Sequence, residues 1–185
     1  MSMHKRCSVA AALCLFVTAP ALAAPGPNLG QPAAPQEIAP WDISIPPAGT
    51  GLPRGSGTAV RGEALYNTQC AACHGVKGAG NPNEPPSPVS ATPLAGGQGT
   101  LATDHPVQTV GSYWPYATTL FDYIRRAMPW GAPKSLTDED VYSLTAYILN
   151  LNGIIGENEV INAETLPKIE MPNRTGFIRI YPKEP

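Results

Sequence analysis

Cys70-Ala71-Ala72-Cys73-His74 decides how this chain reads. C-x-x-C-H is the covalent attachment signature of c-type haem. Two thiols three residues apart on one helical turn can each add to a haem vinyl group, and the next residue, an imidazole, then sits under the iron as an axial ligand. Two other chemistries use a bare C-x-x-C. A tetrahedral zinc site needs two further ligands at compatible spacing, and no second cysteine pair follows. A thioredoxin-like redox pair follows a strand in a βαβ pattern, which this region lacks. The expectation is one covalent haem c on Cys70 and Cys73, with His74 on the iron.

Upstream, His4, Lys5 and Arg6 precede an apolar run from about Val9 to Val17, and Ala21-Leu22-Ala23 is a small-x-small cleavage site. Residues 1–23 therefore read as a secretory signal, with the mature chain starting at Ala24. The apolar run is too short to span a membrane and Pro20 interrupts it, and no other stretch approaches that length. Export together with a c-type haem points to a bacterial periplasm. Cleavage removes Cys7 and Cys14, so Cys70 and Cys73 are the mature thiols; it leaves His74 and His105, and Met128 and Met171, as the imidazoles and thioethers. Losing Lys5 and Arg6 also takes the formal charge from −2 to −4. That acidic balance argues against nucleic acid as a partner.

Residues 24–56 are dense in Pro, Gly and Ala and read as an N-terminal arm without a core of its own. Trp41-Asp42-Ile43-Ser44-Ile45 alternates, so it is either an edge strand laid on the domain or a partner, or part of a tether. The domain proper is expected over 57–153, beginning with a helix from Thr58 whose apolar face is Val60, Ala64 and Leu65, with Gly62 and Tyr66 on the same side. A long loop follows, marked by Gly78, Gly80, Pro82, Pro85, Pro86, Pro88 and Pro93. Tyr116–Ala127 reads as a helix stopped by Pro129. The last helix starts at Thr137, an N-cap followed by Asp138, Glu139 and Asp140 in the dipole-favoured first turn. Its stripe is Val141, Leu144, Ile148 and Leu151, and Gly153 stops it. Residues 154–185 lack helical periodicity and read as a surface-wrapping tail. The class is mostly α, packed around one haem.

The sixth iron ligand separates an electron carrier from a catalyst. Met128, in Ala127-Met128-Pro129-Trp130, suits a haem-covering loop between the two last helices. His/Met coordination raises the iron potential and closes both faces to small molecules. His105, Met171 and an open position are the alternatives. Arg125 and Arg126 either pair with haem propionates, which suit guanidinium forks, or lie on an exposed helix face. Tyr113, Trp114, Tyr116 and Trp130 read as haem-pocket walls or core. No Ser/His/Asp logic, carboxylate dyad or phosphate loop supports a separate catalytic site.

Gly62, Tyr66, Cys70, Cys73, His74, Met128 and the closing helix with Tyr147 together resemble the class I cytochrome c pattern over about residues 57–153. A narrower likeness lies in Gly111-Ser112-Tyr113-Trp114-Pro115-Tyr116-Ala117 through Met128-Pro129. With Leu136-Thr137 to Asn152, Leu166-Pro167-Lys168, Met171-Pro172-Asn173-Arg174, Trp41-Asp42-Ile43 and Gly51-Leu52-Pro53, the chain is similar to the cytochrome c subunits of bacterial sulfite and sulfane dehydrogenases. The resemblance implies a periplasmic one-electron carrier, with His74 and Met128 as axial ligands. It also implies a separate molybdenum-cofactor subunit as donor, and a downstream cytochrome or oxidase as acceptor. The larger Sox-pathway members carry a second haem domain, whereas this sequence has one C-x-x-C-H; that favours the smaller sulfite dehydrogenase cytochromes. A general periplasmic shuttle and a haem enzyme with an open sixth position are the other functional expectations.

Overall fold

The structure is a computed structural model, and it describes residues 29–81, 92–178 and 180. The expected signal at 1–23, the loop prolines Pro82, Pro85, Pro86 and Pro88, and residues 181–185 lie outside the described residues. Contacts divide the chain into Met1–Ala34 and Pro35–Pro185. Of the first unit, residues 29–34 are described and form no helix or strand.

In chain order the second unit contains α1 (Pro35–Ile38), β1 (Ser56–Gly57), α2 (Ala59–Gln69), α3 (Ala71–His74), α4 (Ala117–Ala127), α5 (Asp138–Leu151) and β2 (Ile161–Asn162). Single 3-10 turns lie at Val76–Gly78 and Leu166–Lys168. β1 and β2 pair antiparallel, Ser56 opposite Asn162 and Gly57 opposite Ile161. Among the described residues no helix is long and apolar enough to cross a membrane.

The centre is α5, buried without interruption from Val141 to Leu149. Its start carries the expected cap in full: the Thr137 hydroxyl accepts from Asp140 N at 3.2 Å, and an Asp140 carboxylate oxygen accepts from Thr137 N at 3.3 Å. Arg61 of α2 reaches the same carboxylate at 2.8 Å, tying the two helices at one end. Burial acts to raise the Asp140 pKa, but the Thr137 donors and the Arg61 guanidinium outweigh it and hold the group low.

α2 crosses α5 more closely than side chains normally permit. A Cβ on Gly62 would lie 2.0 Å from the Ser143 carbonyl oxygen and 2.7 Å from Tyr147 Cβ, so only glycine fits. One turn on, the Tyr66 and Tyr147 rings pack at 5.2 Å, tilted by 50°. The buried face of α2 is therefore Ala59, Gly62 and Tyr66. Val60 and Ala64, expected on the apolar face, are exposed, Val60 at 57%. The close approach at Gly62 sets which face turns inward, and this outweighs the simple apolar count.

Two further expectations are corrected. Trp41–Ile45 forms no strand. It is held as an irregular segment, because its backbone groups find side-chain partners on α4 in place of a ladder. Ile45 N donates to Asp122 Oδ1 at 2.8 Å, Arg125 donates to the Ile43 carbonyl at 3.4 Å, and the Thr118 hydroxyl donates to the Pro47 carbonyl at 3.2 Å. The Tyr142 hydroxyl of α5 donates to the Pro53 carbonyl at 2.9 Å. Ile45 is buried in the core. The aperiodic stretch after α5 is not merely a wrapping: Ile155, Ile161, Leu166 and Met171 are all buried core residues. They are spaced five or six apart, so no helical or strand period reveals them.

Gly62→Ala is expected to destabilise the holoprotein by about 3 kcal/mol, because the clash is with backbone that cannot move aside. Gly131→Ala, with nothing within 4 Å of the added methyl, should stay within about 0.5 kcal/mol. Denaturant unfolding of the two variants checks this; equal stabilities would contradict the close crossing.

Candidate functional site

α2 ends at Cys70, whose backbone (φ −124°) leaves the helical region. A new single turn starts on the same residue: Cys73 N and His74 N both donate to the Cys70 carbonyl, at 3.1 and 2.9 Å. Cys70, Cys73 and His74 therefore share one turn, anchored on the helix that crosses α5. Both thiols are free and half-buried. Burial, with the neighbouring Cys73, pushes the Cys70 thiol up to about 11. A thiol–disulfide oxidoreductase needs a lowered thiol pKa, so this environment disfavours that chemistry. A neutral thioether suits it.

Past His74 the chain reverses at once. Gly75 takes φ +73°, and a Cβ there would lie 2.0 Å from the Gly80 carbonyl oxygen. Gly80 N closes the turn on the His74 carbonyl at 2.8 Å, and the Tyr66 hydroxyl donates to the Gly75 carbonyl at 2.9 Å. Burial, with Cys70 nearby, raises that hydroxyl to about 12, so it remains a donor across the ordinary pH range.

The imidazole is positioned from one side. His74 Nδ1 lies 3.3 Å from the Thr92 carbonyl oxygen. A carbonyl only accepts, so Nδ1 carries the proton and Nε2 keeps its lone pair. Burial lowers the His74 pKa, opposed by that carbonyl, which favours the neutral ring a metal requires.

Met128 stands just beyond α4, its backbone extended and its N–H donating to the Ile124 carbonyl at 3.0 Å; the Met128–Pro129 bond is cis. Its side chain is half-buried against the same core that Cys70, Ala71, Leu65, Leu94 and Trp114 join. These apolar groups are packed on the core yet incompletely covered by protein, the condition for an apolar cofactor to complete the packing. Thiols, a neutral imidazole and an apolar surround fit a haem. The alternatives to Met128 sit differently: Met171 is 3% exposed within the core, and His105 is exposed in the 101–105 turn region.

Other candidates are reassigned. Arg125 and Arg126 hold protein carboxylates: Arg125 Nε meets Asp138 Oδ1 at 3.0 Å, and Arg126 forks onto Asp122, one turn back. Trp114 packs edge-on to Tyr123 at 5.9 Å, Tyr113 edge-on to Phe177 at 5.2 Å, and Arg174 stacks 4.3 Å over Tyr116. Trp130, at 80% exposure, lies outside the protein core. Asp122, buried at 8% exposure, was not singled out by any motif; the one sequence signal was an acidic residue inside an otherwise apolar helix face. The Thr92 carbonyl has no sequence signal, since any residue carries one.

The cytochrome c family model matches residues 59–152, spanning the motif, both helices of the crossing and Met128. The chain belongs to the cytochrome c family. Membership brings a covalently attached haem c, and Cys70 and Cys73 fit its attachment motif. This cytochrome is an electron carrier of the class I type. No curated protein matches the chain. Among solved structures, one chain in the crystal structure of the sulfane dehydrogenase SoxCD from Paracoccus pantotrophus is 41% identical, with a TM-score of 0.71. The match covers 82% of this cytochrome and 71% of that chain.

Tyr66→Phe removes the hydroxyl that holds the Gly75 carbonyl and is expected to cost about 1 kcal/mol. Chemical denaturation of the folded holoprotein measures it; an unchanged midpoint would show that the turn after His74 does not depend on that bond.

Proposed function

We propose that this cytochrome is the electron-accepting subunit of a bacterial sulfur dehydrogenase of the periplasm, reached through a cleaved signal at residues 1–23. Its donor is a separate molybdenum-cofactor subunit, and its electron leaves to a downstream cytochrome or oxidase. The observation that carries this reading is the 41% identity to a chain of a sulfane dehydrogenase structure, over 82% of the present chain. Of the two sulfur chemistries, that likeness speaks for sulfane sulfur.

When bound, haem c supplies one reversible electron between ferric and ferrous iron. Cys70 and Cys73 would hold it as thioethers. His74 would bind the iron through Nε2, its ring fixed by the Nδ1 bond to Thr92. Met128 would offer its thioether sulfur as a second ligand. Its place at the open end of α4 supports this, as do the core burial of Met171 and the exposure of His105. Leu65, Leu94 and Trp114 are half-buried on the same core as Met128, which supports an apolar surround for the group. Two protein ligands to the iron would let the chain carry an electron and leave small molecules no place to bind.

Mixing the oxidised protein with the molybdenum subunit should give haem reduction that depends on sulfite or on a sulfane-sulfur donor, and none without that subunit. Reduction by several unrelated donors but not by the dehydrogenase would replace this reading with a general shuttle. Met128→Ala should lower the midpoint potential by on the order of 100 mV and open the ferrous iron to carbon monoxide. An unchanged potential and spectrum would remove Met128 from the iron.

A further inference from the structure

We propose that Asn152, at the C-terminal end of α5, is a positioning residue for the His74 imidazole, acting through the backbone of residues 92–98. The proposal rests on the axial role given to His74 above.

The Asn152 side chain uses its full hydrogen-bonding capacity. Nδ2 donates to the Leu94 carbonyl at 3.1 Å and to the Ile148 carbonyl at 2.9 Å. Oδ1 accepts from Gly96 N at 3.1 Å and from Gln98 Nε2 at 3.3 Å. Gln98 also reaches the Asn152 backbone carbonyl at 3.1 Å. Four of these five contacts run to the 94–98 segment, and one joins the side chain to the Ile148 carbonyl, four residues back. From the other side, the Thr109 hydroxyl holds the Gly96 carbonyl at 2.6 Å.

The clipped segment is the one that meets the imidazole. Leu94 N and Ala95 N both donate to the Gly78 carbonyl, at 2.8 and 3.1 Å, which joins it to the turn after His74. Two residues before Leu94 is Thr92, whose carbonyl receives His74 Nδ1. The buried helix α5, through one amide, thus fixes the segment that supplies the carbonyl partner of the imidazole. Such a bond sets the tautomer, the ring orientation and the donor strength of a ligating histidine. Asparagine is the residue type that both donates to Leu94 and accepts from Gly96 here; aspartate lacks the donor and alanine lacks both.

The experiment uses the holoprotein and two readouts, the exchange rate of the His74 Nδ1–H in the ferrous state by NMR and the midpoint potential. Asn152→Ala should speed that exchange by roughly tenfold or more, since the loop hydrogen bonds are lost, and shift the potential upward as imidazole donor strength falls. Asn152→Asp keeps the acceptor and should speed the exchange by less; its added negative charge draws the potential downward, so exchange is the readout for that variant. Asn173→Ala, which removes a comparable 2.7 Å bond to the Tyr113 carbonyl, should move neither. If both Asn152 variants lower the unfolding midpoint yet leave the exchange rate at its wild-type value, Asn152 is only a helix cap and the proposal fails. Should Asn152→Ala not accumulate as holoprotein, Asn152→Asp decides by the same criterion. A wild-type protein with no haem-shifted His74 signal would instead overturn the axial role itself.

Discussion

The closeness of α2 to α5 at Gly62 governs the rest of the molecule. With 2.0 Å between a would-be Cβ and the Ser143 carbonyl, the two backbones are in contact and their relative orientation is fixed. Because Cys70 ends α2, fixing that helix also fixes the turn that bears both thiols and the imidazole. The Arg61–Asp140 pair and the Tyr66–Tyr147 rings secure the crossing on either side of the glycine. A cofactor held on this turn therefore inherits the rigidity of the most buried helix in the chain.

Around that frame, irregular backbone is held by side chains in place of ladders. Asp122 receives Ile45 N, Tyr142 holds the Pro53 carbonyl, and Asn152 holds Leu94 and Gly96. In each case a side chain on a helix, or at its C-terminal cap, holds a loop backbone group in place. Among the described residues no buried side-chain polar atom lacks a partner. This is how a chain with 22 prolines and 18 glycines keeps long non-helical segments against a helical core. It also lets Cys70, Cys73, His74 and Met128 sit on a short turn and at a helix end without the local structure being loose.

The helices and their caps were legible because each leaves a local signal. Thr137 followed by three acidic residues, the stop at Met128-Pro129 and the glycine–tyrosine pair of α2 can all be read from neighbours in sequence. The C-x-x-C-H turn was legible for the same reason, and family membership agrees with the haem it implies. What escaped was non-local. Burial of Ile155, Ile161, Leu166 and Met171 has no period, and the anchoring of Ile45 depends on a carboxylate 77 residues away. Val60 looked apolar enough to be inside, but the glycine contact turned the neighbouring face inward. The arginines of α4 looked free for an anionic cofactor, and protein carboxylates within reach had already engaged them.

The central claim is that the frame set at Gly62 presents the iron with one imidazole and one thioether. Near-infrared magnetic circular dichroism of the ferric wild-type protein tests it most directly, because the energy of the charge-transfer band identifies the axial pair. The account predicts the low-spin imidazole–thioether signature. A bis-imidazole band, or a high-spin spectrum from an open position, would contradict it.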